Sequence, residues 1–158
     1  MTGVGTWVLL AYRLPREPST PRIALWRNLR RLGAAQLLDG LVALPADSRT
    51  REQLEWLADS VLESGGEAIL WMGQPGTAAQ ERGIVEKMRG AVAAEYARLI
   101  EQAAASSSQP AGSRKRTLAR LRRELRQIRR RDYFSAPQAG PASAAVEALA
   151  ASVANVAA

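Results

Sequence analysis

Ala34-Ala-Gln-Leu-Leu-Asp-Gly-Leu-Val-Ala-Leu-Pro45 is the stretch on which the fold turns. Two short apolar runs, 34–38 and 41–44, flank Asp39-Gly40. Asp-Gly between such runs is the strongest short hairpin signal, because both residues tolerate positive φ. Pro45 then removes a ladder donor and ends the second strand.

The same unit repeats on either side of this hairpin. Upstream, Trp7-Val-Leu-Leu-Ala-Tyr12 reads as a buried strand ended by Pro15 and Pro18. Ser19-Thr20-Pro21 follows as a helix start, a hydroxyl cap with proline where no donor is needed. The helix carries Ile23, Leu25, Trp26, Leu29 and Leu32, and stops at Gly33, a favoured residue just past a helix end. Its outer face holds Arg22, Arg27, Arg30 and Arg31. Downstream, Asp47 or Ser48 caps a second helix with Leu54, Trp56, Leu57, Val61 and Leu62 as its apolar positions. Glu52, Glu55 and Asp59 point outward, and Ser64-Gly65-Gly66 terminates it. Glu67-Ala-Ile-Leu-Trp-Met72 is a fourth strand, closed by Gly73, Pro75 and Gly76.

The order is β-α-β-β-α-β, the ferredoxin-like plan of an α+β fold. Both helices lie on one face of a four-stranded sheet, and the other face needs a cover that the remaining chain can supply. That remainder is helical. From about Ala78 to Ala105, the residues Ile84, Val85, Met88, Val92, Tyr96, Leu99 and Ile100 recur at helical spacing, with Gly83 and Gly90 marking a possible break. Ser106 to Ser113 is a polar turn. From Arg114 to Arg131, Leu118, Leu121, Leu125 and Ile128 form the a/d stripe of a helical hairpin. Asp132-Tyr-Phe-Ser-Ala-Pro137 closes it, and the alanine-rich tail has one weak stripe of Val146, Leu149, Val153 and Val156. The sequence thus divides into a sheet unit (1–77), a basic hairpin (78–134) and an Ala-rich tail or docking helix (135–158).

Composition narrows the chemistry. The 158 residues include no cysteine and no histidine, which removes disulfides, thiolate metal sites and the commonest general base. No carboxylates show metal-ligand spacing, and Gly3-Val-Gly5 precedes a strand rather than following one, so it is no phosphate loop. No catalytic residue, metal or cofactor is expected, and the protein reads as a non-enzyme. The apolar run 7–12 is far short of the roughly 20 residues that span a bilayer. No signal-peptide pattern is present, so a cytoplasmic location is expected.

Charge is the most informative feature. The net +7 is unevenly spread: residues 1–77 hold eight basic and eight acidic side chains, whereas 78–158 hold fourteen and seven. Ten cations, Arg114, Lys115, Arg116, Arg120, Arg122, Arg123, Arg126, Arg129, Arg130 and Arg131, surround the Leu118–Ile128 stripe with Glu124 as the one acid among them. Packed on about 27 Å of helix, they repel one another unless an anion is near. Nucleic-acid phosphates suit arginine forks, which makes double-stranded DNA the first expected partner. A hairpin neutralised by Glu86, Glu95 and Glu101, an acidic protein, and an anionic membrane surface are the alternatives; the narrow apolar stripe argues against the membrane. Arg27, Arg30 and Arg31 form a smaller patch that joins the candidate contacts or is simply solvated. Trp7, Trp26, Trp56 and Trp71 are expected in the core or at a dimer contact. With an apolar fourth strand, they exceed what one four-stranded sheet covers, and a homodimer is expected.

The opening stretch Trp7-Val-Leu-Leu-Ala-Tyr-Arg-Leu-Pro-Arg-Glu-Pro-Ser-Thr-Pro-Arg-Ile-Ala-Leu-Trp-Arg-Asn-Leu-Arg-Arg-Leu-Gly33 closely resembles the N-terminal domain of the ChrB family of chromate-resistance regulators. So do Asp39-Gly-Leu-Val-Ala-Leu-Pro45, Glu52-Gln-Leu-Glu-Trp-Leu57 and Arg131-Asp-Tyr-Phe-Ser-Ala-Pro137. The resemblance implies a bacterial repressor of chromate-efflux genes, released by chromate. It also places chromate sensing in a further C-terminal domain that this sequence does not contain, although the arginine-rich surface could attract the oxyanion. The sheet half is also similar to phenylacetate-type repressors and to small CRISPR adaptation proteins. The latter carry an Asp after the first-strand tyrosine, where this chain has Arg13 after Tyr12, so nuclease chemistry is not implied.

Overall fold

The hairpin forms where the sequence puts it. In the computed structural model, which describes residues 5–157, strands β2 (Ala35–Leu38) and β3 (Leu41–Pro45) flank a turn with Gly40 at φ 75°. Gly40 O accepts from Tyr12 N at 2.8 Å, and a Cβ on Gly40 would lie 2.5 Å from Tyr12 O, so glycine is needed here for closeness as well as for φ. Of the Gly3-Val-Gly5 segment, Gly3 and Val4 lie outside the described residues.

The remaining elements are β1 (Trp7–Arg13), α1 (Thr20–Leu32), α2 (Ser48–Glu63), β4 (Glu67–Gly73), α3 (Ala78–Ser106), α4 (Ala111–Arg130) and α5 (Ala139–Ala157). The sheet order is β2-β3-β1-β4 with every neighbour antiparallel, which is the ferredoxin-like α+β arrangement. The chain divides into two compact units, Met1–Met88 and Arg89–Ala158.

In the first unit, register assigns each sheet residue to a face. Val8 pairs with Leu44 and Leu10 with Val42; all four are fully buried beneath the helix layer, where α2 lies against β1 and β4 and α1 against α2. Asp47 starts α2 with a reciprocal cap: Thr50 N donates to Asp47 Oδ1 at 2.7 Å, and Asp47 N donates to Thr50 Oγ1 at 3.0 Å. Gly33, at φ 72°, ends α1 as expected. Ser19 sits at the N-cap of α1 but makes no side-chain cap hydrogen bond, because its own backbone is already in the helical region; Pro21 in the first turn needs no donor.

The opposite face departs from expectation. The first turns of α3 cover one end, where Trp7 Nε1 donates to Glu81 Oε2 at 3.0 Å and Val85 and Met88 are buried. Further along β4, Ile69 and Trp71 remain 58 % and 59 % exposed, so this face is not covered as a whole. The tryptophans divide accordingly. Trp7 is in the core, but Trp26 and Trp56 are 55 % and 75 % exposed. Their size suggests burial, yet Trp56 follows the buried Leu54 by two residues, which turns it to the far side of the helix. Ile23 and Leu62 are exposed for the same reason.

The second unit is a helical bundle. Its core joins Val92, Tyr96, Leu99 and Ala103 of α3, Leu118, Leu121, Leu125 and Ile128 of α4, and Ala142, Val146 and Leu149 of α5. The a/d stripe is thus a true seam, and the alanine-rich tail docks as a helix, with Val153 partly buried and Val156 exposed. Helix α3 passes Gly83 and Gly90 without a break. Helix α4 begins at Ala111, three residues earlier than its charge pattern suggests, so the connection between α3 and α4 is shorter than the polar run Ser106 to Ser113.

Candidate nucleic-acid interface

Because Leu118, Leu121, Leu125 and Ile128 occupy a and d, the remaining heptad positions of α4 follow. Lys115, Arg122 and Arg129 fall at e, and Arg116, Arg123 and Arg130 at f, with Arg126 at b. The result is three adjacent cation pairs, one every seven residues, or about 10.5 Å apart along the axis. All seven side chains are exposed. Arg116 Nη2 also donates to Ser113 Oγ at 3.2 Å, and Arg130 has a partner within the protein as well.

The other flank is occupied by acids. Arg120 Nη1 pairs with Glu124 Oε1 at 2.9 Å and also donates to Gln102 Oε1 at 2.7 Å. Arg131, largely buried, grips the Glu95 carboxylate: its Nε lies 3.1 Å from both oxygens and its Nη2 bonds Oε2 as well. One residue further along α3 and just past the end of α4, Tyr96 Oη donates to Asp132 Oδ2 at 3.0 Å. Burial first, and then that bond to a carboxylate, push the Tyr96 phenol up to about 12. Asp132 also accepts from Ala136 N at 3.1 and 3.2 Å, which fixes the turn into α5. Arg131 is therefore committed to the fold. Arg114 lies on the seam side of α4, with its Nε buried and no hydrogen-bond partner among the described residues. The structure separates the ten cations into the e, f and b positions, which face outward, and Arg114, Arg120 and Arg131, which face the bundle or its acids.

On α1, Arg27, Arg30 and Arg31 are exposed, and the Arg30 guanidinium stacks over the Trp26 ring at 4.9 Å from its centroid. This exposed aromatic within a basic face was not legible from residue type, which favoured a buried tryptophan; the angular offset of Trp26 from Leu25 and Leu29 was the available signal. Among the described residues, no group of three or more His, Cys, Asp or Glu could hold a metal ion. A cleft between α1 and α2, lined by Leu14, Pro21, Asn28, Ser60 and Ser64, has no ionisable side chain. Among the described residues, no helix is long and apolar enough to cross a membrane.

The family model described as Protein ChrB, N-terminal, matches residues 22–109, more than half of the chain. The chain belongs to the ChrB N-terminal family. A curated relative, Protein ChrB of Cupriavidus metallidurans (strain ATCC 43123 / DSM 2839 / NBRC 102507 / CH34), is 38 % identical over 66 residues, 42 % of this chain and 20 % of the relative. The matched stretch thus spans about a fifth of the relative's length. No solved structure matches the chain. The ChrB N-terminal match includes Arg27, Arg30 and Arg31 and the whole of α3, and ends just before α4. The basic rows of α4 lie outside the matched residues.

Proposed function

We propose that this ChrB-family chain is a non-enzymatic regulator of chromate-resistance genes, or the DNA-binding part of one. In this reading it contacts double-stranded DNA phosphates through the e, f and b cations of α4. The observation that carries the reading is the one-sided use of acids on that helix. Glu95 and Glu124 are taken by Arg131 and Arg120, while Lys115, Arg122, Arg123, Arg126 and Arg129 form an exposed strip with no acid between them. Such a strip repels itself, and the polyanionic backbone of DNA relieves that repulsion. Phosphate contacts of this kind supply affinity and orientation rather than base recognition. The family resemblance points to the same kind of role, a regulator acting on genes.

The test is fluorescence anisotropy with labelled duplex DNA across a salt series. Micromolar binding is expected at about 50 mM salt, with log affinity falling linearly against log salt by about 0.9 for each phosphate engaged. Absence of binding at that salt ends the DNA reading and leaves an acidic protein as the partner of the strip.

A further inference from the structure

We infer that the open face of the sheet is an interface with a second copy of this chain, packed sheet against sheet. The register defines the face. Leu9 of β1 lies beside Trp71 of β4 and Ala43 of β3, and Ala11 lies beside Ile69 and Leu41. Leu38 of β2, paired with Leu41, extends the same face and is 68 % exposed. Ala43 is buried, but from exposed Leu38 through the partly exposed Leu41, Ala11 and Leu9 to exposed Ile69 and Trp71 the face stays apolar. One exposed Trp or Ile on a sheet is ordinary; such a run is not.

The chemistry of the face selects its occupant. Residues 1–77 carry eight basic and eight acidic side chains, so this part of the chain meets its own copy without net repulsion, whereas residues 78–158 hold the whole +7. The rim of the face carries one charge of each sign, the exposed Arg13–Glu67 pair at 2.9 Å. A two-fold contact sets one patch against an identical patch, so it requires a patch that is neutral overall and charged in both senses at its edge. An acidic or a basic partner finds nothing here to select it. The size fits a weak, reversible contact. Beyond the end that α3 covers, four strands at ~4.8 Å spacing and about four residues at ~3.3 Å rise leave a face of roughly 19 by 13 Å. Two such corrugated faces remove on the order of 700 Å² in total, below the size of an obligate interface. Along one row the small Ala11 lies between Ile69 and Leu41, a gap that a side chain of the facing sheet can fill.

Sedimentation velocity on the full chain, without nucleic acid and at high salt, tests this directly. A concentration-dependent monomer–dimer equilibrium is expected between about 1 and 200 μM. The variant Ile69→Lys/Trp71→Glu changes only exposed positions; it should keep its circular dichroism spectrum and weaken the dimer at least about 30-fold. Leu38→Lys, at the opposite edge of the face, should weaken it in the same direction and serves if the double variant does not fold. Trp56→Lys, on the outer side of α2, should leave the equilibrium unchanged. A wild-type chain that stays monomeric at the highest concentration overturns the proposal. So does a dimer that tolerates both sheet variants, or one that Trp56→Lys dissociates.

Discussion

Tyr96 on α3 and Asp132 beyond the end of α4 are joined by a 3.0 Å hydrogen bond, directly beside the Glu95–Arg131 ion pair. Two consecutive residues of one helix thus clasp two consecutive residues at the end of another. The clasp explains why only some of the cations in the basic segment are available to a partner: its last arginine is used to close the bundle.

The phenol in this clasp makes stability depend on pH at the alkaline end. The folded chain holds the Tyr96 proton up to about 12, whereas an unfolded tyrosine releases it near 10. The folded state therefore binds the proton more tightly. Its contribution is complete below about pH 10 and is lost as pH rises towards 12, a loss of roughly 1–3 kcal/mol. Tyr96→Phe should remove about 1 kcal/mol at neutral pH by deleting the hydrogen bond, and flatten the decline between pH 10 and 12. Urea unfolding of both proteins across that range reads the difference. Parallel curves would mean that the phenol titrates as in the unfolded chain.

Glu95→Gln separates the structural cation from the exposed ones. It leaves the largely buried Arg131 guanidinium without its carboxylate, and should cost about 1–3 kcal/mol of stability. DNA affinity per folded molecule should stay the same or rise slightly, since an acid has been removed. A thermal melt paired with anisotropy distinguishes the outcomes; weaker DNA binding with unchanged stability would place Glu95 and Arg131 at the nucleic-acid surface instead.

Much of this fold was legible because its punctuation is local. Asp39-Gly40, Pro45, Gly33 and Asp47 each act within a few residues, and they delimit β2, β3, α1 and α2 almost to the residue. The a/d stripe of α4 was legible for the same reason. What sequence reading missed is angular or distant. Trp26 and Trp56 look like core residues by type, and only their offset from Leu25 and Leu54 turns them outward. Gly83 and Gly90 suggested a break, but glycine costs a helix only about 1 kcal/mol, less than the buried stripe from Val85 to Ala103 returns. In the candidate site, Arg131 resembles the nine other cations of its segment. Its pairing with Glu95, 36 residues away, becomes visible only once the seam fixes which flank of α4 meets α3.

The reciprocal cap of α2 is a separate test of local order in the sheet unit. Asp47→Ala removes the acceptor for Thr50 N and should cost about 1 kcal/mol. Thr50→Val should cost more, because Thr50 is fully buried and its hydroxyl also donates to Pro45 O at 2.6 Å, tying the helix start to the end of β3. Denaturant midpoints of the two variants give the order; equal losses would show that the Pro45 hydrogen bond adds nothing.

The last prediction separates the two roles of α4. Leu121 is fully buried in the seam with Leu118, Leu125 and Ile128, so Leu121→Asp places an unpaired carboxylate among apolar side chains. That should cost several kcal/mol and lower the melting temperature of the bundle sharply. Arg122, Arg123, Arg126 and Arg129 lie on the exposed side of the helix. The ion pairs Arg13–Glu67, Arg51–Glu55, Arg120–Glu124 and Arg131–Glu95 involve none of them. Changing these four to Gln should leave the melt nearly unchanged, or raise it slightly as like-charge repulsion falls. DNA affinity should nonetheless drop, and the slope of log affinity against log salt should flatten by about 0.9 for each phosphate no longer engaged, at most about 3.6 for all four. The two variants therefore move opposite readouts: one unfolds the helix's support, the other strips its charge. If the four-Gln protein unfolds while its salt slope per folded molecule stays at the wild-type value, these arginines serve the bundle rather than a nucleic acid, and the exposed strip is not the contact surface.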